Sequence, residues 1–194
     1  MSNILLVPDS HGQGTHWPAI KQWQQKKFIA IEYVLMGMEK HLNAWLKNVT
    51  DAVTDQECEV FCKVFAFGKT QSHVEFSNVE FVDSASPCSK LYTANTSHAR
   101  TIIQTLKMFD NVICFEMPKR PCNIVESVWA KYISSKYESG GGVVVAGAAH
   151  ILALRMHLTI PNASYFTIYW DSAARQHLIR QFRHSVQFPL LTLW

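Results

Sequence analysis

A three-layer αβα fold around a mostly parallel sheet is the α/β fold class this sequence predicts, on two kinds of spacing and their order. Short apolar runs at 4–7, 112–115 and 143–145 have the length and Val/Ile content of buried strands. Between them, apolar residues recur at three- and four-residue spacing, first in Leu35, Met38, Leu42, Trp45, Leu46, Val49 and Val53, then in Ala99, Ile102, Ile103, Leu106 and Phe109. Strands that alternate with amphipathic helices in this way build a parallel sheet covered on both faces.

The elements follow in order. The run 4–7 is a buried strand, and the polar turn Asp9-Ser10-His11-Gly12 follows it directly. The spacing from Leu35 to Val53 predicts a helix. Val- and Phe-rich 58–67 alternates in part and predicts a strand, with a short extended piece at 79–82. Thr96 or Ser97 caps the helix carrying Ala99 to Phe109, and the strand 112–115 comes next. Pro118 and Pro121 forbid a regular element over 117–123, so an irregular loop leads into the helix of Ile124, Val128, Trp129, Ile133 and Tyr137. Gly140 to Gly142 stop that helix. A strand through Val143, Val144 and Val145 to Gly147, a short helix through Arg155 and Met156, an aromatic strand at 165–170 and a tail of ambiguous period complete the chain. No internal repeat or linker interrupts it, and residues 1–194 read as a single domain.

Composition narrows the class. With 48% hydrophobic and 17% charged residues in 194, the chain has the material for one sizeable core and is not of disordered type. No run is long and apolar enough for a membrane span, and 1–7 lacks the basic start of a secretory signal. Cys58, Cys62, Cys88, Cys114 and Cys122 are odd in number and in no metal-finger spacing, so they read as reduced thiols of an intracellular compartment, cytoplasm or organelle matrix. A net charge of +3, with no lysine-rich block, gives no indication of nucleic acid as a partner.

In a parallel sheet, the loops at the carboxyl ends of the strands line the crevice that binds ligands. His11, Glu116 and His150 all stand at such ends, and Arg155 follows His150 by five residues. Asp9-Ser10-His11-Gly12 after an apolar strand also has the form of the first motif of metallophosphoesterases, in which Asp and His bind a metal. The further Gly-Asp, Asn-His and Gly-His-x-His motifs that would complete two metal sites are absent from the sequence, which counts against that reading.

Taken together, these segments resemble the histidine phosphatase superfamily, the phosphoglycerate-mutase-like fold, nearly from end to end. Residues 4–13 are similar to its opening strand and Arg-His-Gly; Ser86-Pro87-Cys88-Ser89-Lys90 with Thr93-Ala94 is similar to its Ser-Pro-x-x-Arg and Thr-Ala. Glu116 stands at its acid loop, Glu126-Ser127 at its Glu-Ser helix start, and residues 143–150 with Arg155 at the strand that bears its second histidine. Pro161-Asn162-Ala163-Ser164 resembles its Asn-Ala-Ser strand entry, and the same alignment makes 177–182 a closing strand.

The resemblance implies phosphoryl transfer through a phosphohistidine, with no metal or other cofactor. His11 would be nucleophile, His150 a phosphate clamp and Glu116 the acid, with Ser10, Lys90 and Arg155 around the phosphate. Ser10 stands where the family has arginine, and Lys90 where it has a second. An ungapped alignment instead sets Pro8 and Asp9 on the arginine and histidine positions. Lysine lacks the bidentate fork of guanidinium, and losing one preorganised donor costs about a hundredfold or more in rate. The expectation is therefore a pseudoenzyme acting as an interaction or structural subunit, with protein partners or a larger complex. The alternatives are an active phosphatase or phosphomutase of small phosphoesters, with a phosphate-containing small molecule as ligand, and the metallophosphoesterase.

Overall fold

The computed structural model describes residues 2–9, 16–65, 96–117 and 124–168. Among these residues five strands form one all-parallel sheet: β1 (Ser2–Asp9), β2 (Phe28–Leu35), β3 (Asn111–Glu116), β4 (Gly142–Gly147) and β5 (Ala163–Thr167), in the spatial order β3-β2-β4-β1-β5. Helices flank it as α1 (Trp17–Gln22), α2 (Glu39–Asn48), α3 (Asp55–Val60), α4 (Thr96–Leu106), α5 (Val125–Lys136) and α6 (Ile151–His157). The α/β class and layered architecture are those expected.

Alternation along the strands builds two cores. Leu5, Val7, Ile29, Ile31, Val143 and Val145 face α1 to α4, whereas Ile4, Leu6, Ala30, Val144 and Ala146 face α5 and α6. The described helices of the crossovers from β1 to β2 and from β2 to β3 lie on the first face. The described helices of those from β3 to β4 and from β4 to β5 lie on the second. One handedness for all four connections requires this segregation, because reversing direction across the sheet moves the helix to the other side.

Two segments depart from the sequence reading. Residues 58–65 are helical: α3 leads into a π-helical turn, Phe61–Phe65, in place of the expected strand. Thr54 decides this, since its side chain accepts from the Glu57 N–H while the Glu57 carboxylate accepts from the Thr54 N–H. That reciprocal cap starts a helix whose Cys58, Phe61 and Phe65 turn inward at helical spacing. β2, which the sequence reading did not assign, ends at Leu35, so the following helix starts four residues later than its periodicity suggests. The expected pieces at 79–82 and 177–182, and the ends of those at 58–67 and 165–170, lie outside the described residues.

Glycines 140–142 seat the central strand. Gly140 has φ +77°, and a Cβ at Gly142 would stand 2.2 Å from the Phe28 carbonyl oxygen, so the start of β4 tolerates no side chain beside β2. At the sheet's outer edge, the Asn43 side chain of α2 accepts from the Val112 N–H and donates to the Val112 carbonyl, both at 2.9 Å. Tyr132 of α5 donates to Glu39 of α2 at 2.5 Å, joining the helices of the two faces. Among the described residues no strand lies beyond β3, and its Val112 backbone groups are satisfied by a side chain instead.

Candidate functional site

The carboxyl ends of the strands carry most of the buried polarity. Among the described residues the buried polar side chains are Asp9, His16, Glu32, Thr105, Glu116 and Thr167. Asp9, Glu116 and Thr167 close their strands, Glu32 lies in the second half of β2, and His16 belongs to the segment that follows β1. Burying a carboxylate is costly unless it is hydrogen-bonded, so these groups mark a built feature of the fold.

β4 is the centre of this feature. It lies between β2 and β1, and the helix after it goes to the face opposite those after its two neighbours. Adjacent strand ends whose connections part in this way leave a crevice between them. Asp9 of β1 pairs in register with Gly147 of β4, and its carbonyl accepts from the Ala148 N–H at 3.2 Å. Glu32 of β2 reaches the same point from the other side, accepting from the Gly147 N–H at 2.5 Å.

On the α1 face, Asp9 accepts a short hydrogen bond from the Tyr33 hydroxyl. Tyr33 packs beside Trp17, with ring centroids 6.4 Å apart. His16 stands just before α1 and is buried; burial lowers its pKa below the usual 6.5, and the Asp9 charge only partly opposes the shift. Its neutral imidazole is therefore favoured in the folded chain.

On the α5/α6 face, His150 occupies the turn between β4 and α6, its N–H bonded to the Gly147 carbonyl at 2.8 Å. Nδ1 lies 2.7 Å from Glu126 Oε1 at the start of α5, and the ring meets Trp129 edge-on at 5.2 Å between centroids. Burial works to raise the Glu126 carboxyl. The His150 hydrogen bond, the Glu126 backbone N–H and the fields of His150 and His157 together outweigh it and hold the pKa below the usual 4.5.

Of the expected site residues, then, the first and fourth strands do end side by side, but their chemistry points apart. Asp9 shares the face of Leu5 and Val7, while His150 packs on Trp129 of the other core. Glu116 ends the outer strand β3, two strand spacings or about 10 Å from β4. It accepts from the Met117 N–H at 2.8 Å, and its own carbonyl accepts from Met36 at 2.8 Å. Arg155 lies away from the strand ends. Helix α6 runs back along the sheet, and the five residues after His150 carry it about 7.5 Å toward the opposite end. There its guanidinium stacks on Tyr165, 3.8 Å from the ring centroid, at the level of Ile4. Ser10, His11 and Lys90 lie outside the described residues.

Glu32, Tyr33 and His16 were not among the residues singled out from the sequence, and Glu126 was noted only as part of a helix-start motif. The acidic and aromatic pair Glu32-Tyr33 inside an apolar run is the signal that could have found the first two, since a strand that buries such groups must pair them. No group of side chains suited to a metal ion occurs among the described residues. An open groove of about 710 Å³ lies elsewhere, beside the β3 edge, lined by Lys40, Asn43, Lys47 and Lys136 among others. Comparison with protein-family models, with curated proteins and with solved structures returns no match.

Proposed function

We propose that this chain is a catalytically silent relative of the histidine phosphatases that serves as an interaction or structural subunit. The observation that carries the reading is the end of β1: Asp9, a buried carboxylate engaged by Tyr33, stands at the strand tip where the ungapped alignment sets the catalytic histidine. A phosphate dianion needs converging cationic and N–H donors. Asp9, Glu32 and Glu116 instead place negative or acceptor groups in the carboxyl-terminal halves of β1, β2 and β3. The two described arginines are occupied away from them, Arg155 on Tyr165 and Arg100 on Asp55 at 2.5 Å and the Val53 carbonyl.

The test is turnover of p-nitrophenyl phosphate by the full chain, with acid-labile phosphohistidine sought in parallel. The expected result is no turnover above that of His11→Ala and no phosphoenzyme. Enzyme-like turnover lost in both His11→Ala and His150→Ala would reject the reading and favour an active phosphatase.

A further inference from the structure

His150 is held in one orientation, and that orientation selects what it can recognise. Its Nδ1 faces Glu126 at 2.7 Å and its ring edge is set by Trp129, while about a quarter of the side chain stays exposed. An ionised carboxylate can only accept a hydrogen bond, so the proton of the neutral imidazole must sit on Nδ1. Nε2 then carries a lone pair, and it makes no hydrogen bond among the described residues.

We infer that Glu126 is a positioning residue that fixes the neutral His150 as the Nδ1–H tautomer, so that the exposed Nε2 receives a hydrogen-bond donor, a hydroxyl or an ammonium, and not an oxyanion. This deepens, and rests on, the reading of the chain as a catalytically silent interaction subunit. A histidine that clamps phosphate must donate from its free nitrogen, and here only the doubly protonated ring would do so. Beside the pair, His157 at the end of α6 also acts on Glu126 through its charge.

The experiment is long-range 15N–1H correlation of the histidine rings in the full-length protein at mildly alkaline pH, assigned with His150→Ala. The wild type is expected to show His150 protonated at Nδ1 and bare at Nε2. Glu126→Ala is expected to move the proton to Nε2 or to a mixture, and Glu126→Gln, which keeps an acceptor oxygen, to retain the wild-type pattern. A wild-type ring protonated at Nε2 overturns the proposal without any variant, as does an unchanged tautomer in a folded Glu126→Ala. Titration with inorganic phosphate at the same pH should leave the His150 signals in place, and a saturable shift there also overturns it. Phosphatase turnover by a protein whose tautomer is as stated would reject the silent-relative reading alone.

Discussion

Asp9 shows how much a single buried carboxylate depends on its neighbours. It is 2% exposed, and Tyr33 supplies the hydroxyl that replaces lost water. Tyr33→Phe leaves the ring packing intact and removes that donor, so it is expected to destabilise the fold by about 1–3 kcal/mol, read from urea unfolding. His16 makes the same neighbourhood sensitive to pH. Its folded pKa lies below 6.5, so between those two values the unfolded chain binds more protons, and stability rises with pH across that window and is level above it. Glu126 acts in a lower window: its folded pKa is below 4.5, and the stability it contributes above that value is lost as pH falls through the folded pKa. Urea midpoints measured across both windows should show two separate declines on acidification, with His16→Asn removing only the upper one.

The elements explain which parts of this arrangement were legible in the sequence. Strands β1, β3 and β4 were readable because each is a short apolar run bounded by turn or polar residues. β2 was not, since the run from Phe28 to Leu35 passes straight into helix-spaced residues and Glu32 and Tyr33 break its apolar character. The segment 58–65 misled through its Val and Phe content, whereas the Thr54-Glu57 cap upstream held the decisive signal. The site itself was only half visible. His150 and Glu116 stand out at strand ends, but Glu126 bonds His150 across 24 residues and Glu32 bonds Gly147 across 115, and such pairings come from topology and not from local pattern. At the sheet edge, Asn43→Ala would strip both hydrogen bonds from Val112. The expected cost is about 1–3 kcal/mol, read from urea unfolding.

At the scale of the whole molecule, the two cores lie on opposite faces of the sheet, and β4 contributes to both. Trp129 fills the second core and is also the wall against which His150 rests. Trp129→Ala is expected to lose about 3–5 kcal/mol in equilibrium unfolding, because the neighbouring Phe115 ring at 5.3 Å cannot fill so large a void. The strand ends carry the functional claim, with acceptor groups presented where a phosphatase would present cations. Thermal unfolding with and without inorganic phosphate, at matched ionic strength with chloride, tests that claim most directly. A ligand at a hundred times its Kd adds about 2.7 kcal/mol of stability, which for a chain of this size raises Tm by about 5–10 °C. The account predicts no rise beyond the chloride control; a saturable rise of that size would contradict it.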